Sequence, residues 1–128
     1  MDLIINENDF NKDNISIKYY KNTQKILYNI GNIYIIGLPF ILNNINIVKQ
    51  TKKYILLNIK KIPQYDILKS IDLFFIKKFG IYYSSFMIND IIKIKKNKNY
   101  NFNDNDIYIT LTNIRKKNSF ITIQLFTI

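Results

Sequence analysis

The sequence PQYDILKSIDLFFIKKFG, residues 63–80, is the stretch on which the fold prediction depends. Its apolar residues recur at spacings of three and four, the period of an amphipathic helix. The resulting stripe consists of Ile67, Leu68, Ile71, Phe74 and Phe75. A proline at the start, a glycine at the end and two lysines in the last turn are typical helix boundaries. The segment therefore predicts one helix.

Strand patterns lie on both sides of this helix. Apolar and polar residues alternate at 15–20, 91–95, 107–112 and 120–125, and residues 25–36 and 54–59 are apolar enough for central strands. Turn-forming residues predict loops at 43–46, 97–106 and 115–119. The predicted order is three strands, a helix between strands 3 and 4, and then two or three strands. This order favours a mostly β (α+β) oligonucleotide-binding-like antiparallel barrel, and a plain α+β sandwich also accounts for it.

Charge divides the chain into an acidic start and a basic remainder. The net charge is +10, yet the first fourteen residues carry −3. Residues 18–61 contain eight lysines and no carboxylate, and residues 93–98 contain four more lysines. We therefore expect an acidic N-terminal arm, residues 1–14, and one basic β-rich domain, residues 15–128, whose positive field attracts a polyanion. An AT-rich coding sequence, which supplies Ile, Asn and Lys, is a competing explanation of the lysine excess.

The residues needed for most catalytic and metal sites are missing. The chain has no Cys and no His, which excludes disulfides, thiolate zinc sites and histidine bases. Asp66 and Asp72 share no helix face, and Asp104 and Asp106 lie in an Asn-rich stretch where we expect a turn. We predict no enzyme activity, no metal, no cofactor and no small-molecule substrate.

Single-strand binding needs cations for the phosphates and flat rings on which bases stack. Lysines and rings lie at the positions that alternate with the apolar ones, and lysines also flank the strand before the helix. The candidate nucleic-acid-binding residues are Lys18, Tyr20, Tyr34, Lys49, Lys52, Lys53, Lys60, Lys93, Lys95, Tyr108 and Phe120. We expect Tyr19 and Ile121 to point inward, which leaves Tyr20 and Phe120 on the opposite face. A second buried face is the alternative for each ring.

One part of the chain has a recognisable layout. It comprises the run from Asn14 to Ile30, the segment IYIIGLPF at 33–40, the segment KYILLNI at 53–59, and the helix. This layout resembles that of the single-stranded DNA-binding proteins of large DNA viruses and cytoplasmic linear plasmids, over about residues 14–80. The resemblance implies an oligonucleotide-binding barrel that acts in replication or repair.

The expected function is sequence-nonspecific binding of single-stranded DNA or RNA, with lysines on phosphates and Tyr or Phe on bases. The alternative is an RNA-bound ribosomal protein, or a small subunit of a larger polymerase or virion assembly. The longest apolar runs are too short to span a membrane, and the acidic start is unlike a secretory or transit signal. We therefore expect no membrane partner and a location where the chain is made: cytoplasm, virus factory or organelle matrix.

Overall fold

The computed structural model describes residues 4–97 and 105–128 and shows a mostly β fold. Within these residues there are nine strands and one α-helix. They are β1 (Ile15–Tyr20), β2 (Thr23–Ile30), β3 (Ile33–Ile36), β4 (Leu38–Leu42), β5 (Asn46–Gln50), β6 (Tyr54–Asn58), α1 (Tyr65–Phe79), β7 (Ile91–Lys95), β8 (Ile107–Lys117) and β9 (Phe120–Thr127). No helix in the described ranges is long and apolar enough to cross a membrane.

The strands form one open, mixed sheet. Its order is β1-β2-β8-β9-β7-β6-β5, with β3 beside β2 and β4 beside β8. The pair β7–β9 is parallel and the other pairs are antiparallel. Strands β1 and β5 are the two ends of this order, so pairing among the described residues does not close the sheet into a barrel.

Alternation along the strands places one side of the sheet against a single apolar core. On β8 the buried residues Ile107, Ile109 and Leu111 lie opposite Leu42, Phe40 and Leu38 of β4. The helix covers the same side with its apolar stripe, and its buried members are Leu68, Ile71 and Phe75. Polar residues alternate with these positions and are thereby directed away from the core.

The mostly β class and the single amphipathic helix are confirmed. The helix runs from Tyr65 to Phe79, and Gly80 ends it with a φ of 63°. Its place in the order differs from the prediction, since it follows six strands and precedes three instead of lying between strands 3 and 4. The predicted central strand at 25–36 contains a turn at Gly31 and belongs to two strands, and β4 and β5 were not predicted. The predicted loop at 115–119 is mostly strand, with its turn at Asn118 and Ser119.

The extended segment 33–42 changes strand partner at Gly37. Before Gly37 it pairs with β2 as β3, and after Gly37 it pairs with β8 as β4. Gly37 is buried, has a φ of 89°, and donates its N–H to the Ile26 carbonyl at 2.6 Å. A Cβ at this position would overlap Thr110 Oγ1 and approach Thr112 Cβ to 3.2 Å. Only glycine provides both the positive φ and the close approach to β8.

The N-terminal segment packs on the core instead of standing apart from the domain. Ile5 is buried and donates its N–H to the Pro39 carbonyl at 2.8 Å. Phe10 stacks on Tyr28 with ring centroids 5.7 Å apart and meets the edge of Phe40 at 5.8 Å. These contacts join the N-terminal segment to β2 and β4 through its apolar residues.

A buried carboxylate joins the helix to the segment that follows it. Asp72 accepts hydrogen bonds from the Tyr83 hydroxyl at 2.6 Å, from Ser85 Oγ and from the Phe86 N–H at 3.4 Å. Burial, and next the hydrogen bond to Asp72, raises the pKa of the Tyr83 hydroxyl above its ordinary value. The hydroxyl therefore remains a donor at neutral pH.

Gly37→Ala should destabilise the fold more than Gly31→Ala does. Both glycines have positive φ, but a Cβ at Gly31 has no atom within 4 Å. We expect Gly31→Ala to cost about 1 kcal/mol, and Gly37→Ala about 2 to 5 kcal/mol because overlap with β8 is added. Urea unfolding of both variants measures the difference. Equal losses would show that the approach to β8 does not restrict this position.

Asp72→Ala should cost about 2 to 4 kcal/mol of unfolding free energy, because it leaves the buried Tyr83 hydroxyl and Phe86 N–H without an acceptor. Asp66→Ala is the matched control on the same helix, since Asp66 is exposed in the first turn and contributes at most about 1 kcal/mol. Thermal or urea unfolding monitored by circular dichroism checks both. A loss for Asp72→Ala no larger than the control would contradict the structural role of this carboxylate.

Candidate nucleic-acid interface

The side of the sheet that faces away from the core carries a row of polar residues that crosses the strands. On β1 and β2, Lys18 lies opposite Lys25. On β2 and β8, Lys25 lies opposite Asn113, and on β8 and β9, Asn113 lies opposite Gln124. Their neighbours along the strands, such as Ile114 and Ile123, are buried in the core.

The row continues over the other half of the sheet. The parallel pairing of Lys95 with Phe126 places Lys93, two residues earlier, beside Gln124. Lys93 lies opposite Leu56 on β6, and Leu56 lies opposite Lys49 on β5. We call this set the lysine row: Lys18, Lys25, Asn113, Gln124, Lys93, Leu56 and Lys49. With strands about 4.8 Å apart, a row over seven strands spans about 29 Å along the sheet.

The electrostatic character of this surface follows from the composition of the strands. None of the nine described strands contains an aspartate or a glutamate. Every charged side chain that a strand contributes to the sheet is therefore cationic. Arg115 and Lys117 continue the positive charge on β8, on the same side of the sheet as Asn113. A field of one sign over this face attracts a polyanion and repels cationic ligands.

Aromatic rings flank the row on both sides. Lys18 Nζ lies 5.4 Å from the centroid of the Tyr20 ring, and Tyr20 is 38% exposed. On the other half, Lys93 Nζ lies 4.5 Å from the centroid of Tyr54, and Lys95 Nζ lies 5.9 Å from that of Phe126. Rings and ammonium groups thus alternate over β9, β7 and β6. Such alternation is the arrangement that base stacking and phosphate contact both require.

A hydrogen-bonded chain fixes the centre of the row. Lys25 Nζ donates to Asn113 Oδ1 at 2.5 Å, and Asn113 Nδ2 donates to Gln124 Oε1 at 3.4 Å. An ammonium group can only donate, so the amide oxygen of Asn113 must face Lys25 and its NH₂ must face Gln124. Lys25 therefore determines the direction in which these hydrogen bonds are donated.

Several predicted residues come together at this surface. Lys18, Lys49 and Lys93 belong to the row, Tyr20 adjoins it, and Lys95 lies between Tyr54 and Phe126. Tyr34, 63% exposed, shares a depression of about 480 Å³ with Lys18, Tyr20 and Ile36.

The other predicted residues lie further from the row. Lys52 and Lys53 occupy the turn between β5 and β6. Tyr108 and Phe120 are exposed at the far ends of β8 and β9, and Lys60 follows the end of β6. Tyr19, expected to point inward, is 70% exposed because β1 extends beyond the core at that end.

The sequence prediction missed eight residues of this surface: Lys25, Tyr54, Leu56, Asn113, Arg115, Lys117, Gln124 and Phe126. Lys25 and Tyr54 were assigned to apolar central strands, and the prediction did not separate an outward face from a core face in those strands. Alternation from the buried Ile26 and Ile55 would have placed both on the polar side. Alternation placed Gln124 on the polar side of its strand. No local signal aligns Asn113 and Gln124 with Lys25, because that alignment depends on pairing between distant strands.

The acidic pair predicted to form a turn is described only in part. Asp104 lies outside the described residues. Asp106 accepts a hydrogen bond from the Asn44 N–H at 3.3 Å, which joins it to the segment between β4 and β5. Within the described ranges no three carboxylates cluster as a metal site would need.

Comparison with known proteins assigns no family to this chain. No protein-family model, no curated protein and no solved structure matches it. Charge, rings and hydrogen-bond polarity on the outward face of the sheet are therefore the observations from which a function can be inferred.

Proposed function

We propose that this chain binds single-stranded nucleic acid, which lies across the strands along the lysine row. The observation that carries the proposal is the row itself: four lysines in register over a sheet whose described strands contain no acidic residue. Lysines on one outward row can follow a phosphate backbone that runs perpendicular to the strands. Each phosphate contact releases a bound counterion and favours binding at low salt.

The flanking rings favour a single strand over a duplex. Tyr20, Tyr54 and Phe126 lie beside the lysines and not among the core residues. A duplex keeps its bases stacked inside, where rings on the surface of a sheet cannot reach them, whereas a single strand exposes the faces of its bases. Stacking is tolerant of sequence because every base has a flat face, so most of the affinity should not depend on sequence.

The use of a strand face in this way is also the basis for proposing an oligonucleotide-binding type of domain. In such domains a small, partly open barrel presents the outer face of its strands to the ligand. Three features support this proposal: an open sheet, a helix on its core side, and cations with rings on its outer side. The order of strands and helix along the sequence does not support this type of domain, because the helix follows six strands and not three.

A second candidate is a subunit of a larger nucleoprotein assembly, such as a ribosomal, polymerase or virion component. One observation favours it: large apolar side chains are exposed outside the sheet, on the helix and on the segment that follows. They are Leu73, Ile76, Ile81, Tyr82 and Ile88. Apolar residues in such positions are typical of surfaces that contact another protein. A free single-strand binder should remain monomeric at concentrations where an assembly subunit associates.

Replacing Lys18, Lys49 and Lys93 together by Gln should weaken binding to every single strand and flatten the salt dependence. Three lost phosphate contacts should reduce the slope of log K against log salt by about 2, at roughly 0.7 per contact. The matched control replaces the exposed helix lysines Lys69, Lys77 and Lys78 by Gln, with the same change in net charge. Fluorescence anisotropy over a salt series measures both. Equal slopes for the two triple variants would reject the row as the binding surface.

Tyr20→Ala and Tyr54→Ala should each lower single-strand affinity by about 1 to 3 kcal/mol and leave the salt slope unchanged, because a ring contributes stacking and releases no counterion. Tyr82→Ala is the control, since Tyr82 is 56% exposed and lies outside the sheet. Melting temperatures of all three variants identify any loss that arises from unfolding. An equal loss for Tyr82→Ala, or a loss explained by unfolding alone, would contradict the stacking role.

A further inference from the structure

The centre of the lysine row presents the amide NH₂ of Gln124, which can only donate. Gln124 uses Oε1 to accept from Asn113, which leaves its NH₂ directed away from that partner. Within the described residues no side chain or carbonyl accepts from this NH₂. The neighbouring groups on β7 are the ammonium groups of Lys93 and Lys95, which also only donate. A ligand group at this point must therefore offer acceptors.

We infer that Gln124 makes this surface prefer keto bases over amino bases at one nucleotide position. The inference rests on the proposed function. Between Lys25 and Lys93 the row contains only the neutral Asn113 and Gln124, so at this point the edge of a base, and not a phosphate, faces the surface. Uracil, thymine and guanine present carbonyl oxygens, which accept from the Gln124 NH₂. Cytosine and adenine present an exocyclic NH₂ at the corresponding place, which meets only donors here. A base with the wrong group loses a hydrogen bond and leaves polar groups unpaired.

The selectivity depends on Asn113, which is a positioning residue. A free glutamine amide can rotate and offer either its oxygen or its NH₂, and would then treat both classes of base alike. Asn113 removes this freedom because Lys25 holds its oxygen, so that only its NH₂ is available to Gln124. The positive charge of Lys25 thus determines which end of Gln124 faces the ligand.

Substitution of Asn113 should change the base preference in a way that a purely structural role of this residue does not predict. In Asn113→Asp both side-chain oxygens accept, one from Lys25 and the other from the Gln124 NH₂. Gln124 must then turn and expose Oε1, and the preference should reverse in favour of amino bases. In Gln124→Ala the preference should disappear. The added negative charge of the Asp variant weakens binding to all sequences, and the ratio of affinities is insensitive to that change.

The probes are oligodeoxyuridine and oligodeoxycytidine of about 12 nucleotides, within the range that single-strand-binding domains cover. Their bases differ at position 4, keto in uracil and amino in cytosine. We expect the wild-type chain to favour the uracil strand about three- to tenfold, as expected for one hydrogen bond. We expect a ratio near one for Gln124→Ala and a ratio below one for Asn113→Asp. Melting temperatures confirm that the variants are folded.

The outcomes separate this inference from the proposed function. Tight binding of both probes with equal affinity, unchanged in the two variants, would overturn base selection and leave single-strand binding intact. A wild-type preference that neither variant alters would likewise overturn the role of Gln124 and Asn113. Failure of the wild-type chain to bind either probe would refute both the proposed function and this inference.

Discussion

The close approach of Gly37 to β8 is the constraint on which the rest of the sheet depends. It allows one extended segment to pair with β2 before the bend and with β8 after it. The hairpin of β1 and β2 is thereby joined to the larger group of strands, so that Lys25 comes into register with Asn113. The two halves of the lysine row meet at this pairing of β2 with β8.

The two sides of the sheet meet different physical demands. The core side must bury apolar area, and Ile and Leu at alternate positions supply it. The outer side has no such demand, and it contains the charge of the strands, which is cationic, except for Lys116 on the side of Ile114. Tyr20 and Tyr54 lie on this side because alternation along their strands directs them there, and each makes a cation–π contact with a neighbouring lysine.

The polar centre of the row shows how one charge can determine the properties of neutral groups. Asn113 and Gln124 are each able to donate and to accept, and alone would present no fixed pattern. Lys25 ends the chain with a group that only donates, and this fixes the orientation of both amides. The centre of this cationic surface therefore presents hydrogen-bonding groups in a fixed orientation.

The sequence alone determined the β-rich class, the helix at residues 65–79, the excess of lysine and the exposure of Tyr20 and Tyr34. These features depend on local periodicity and composition, which act over a few residues. Alternation of residues along β7 also predicted that Lys93 and Lys95 lie on the opposite face from their buried neighbours. The sequence did not place the helix correctly in the strand order, because turns such as the one at Gly31 interrupt apolar runs without a strong signal. Only the tertiary structure decided which strands are neighbours, since pairing between residues far apart in the chain depends on closing long loops and filling a common core. The alignment of Lys18, Lys25, Asn113 and Gln124 is a consequence of that pairing, and therefore so are the candidate site and its hydrogen-bond polarity.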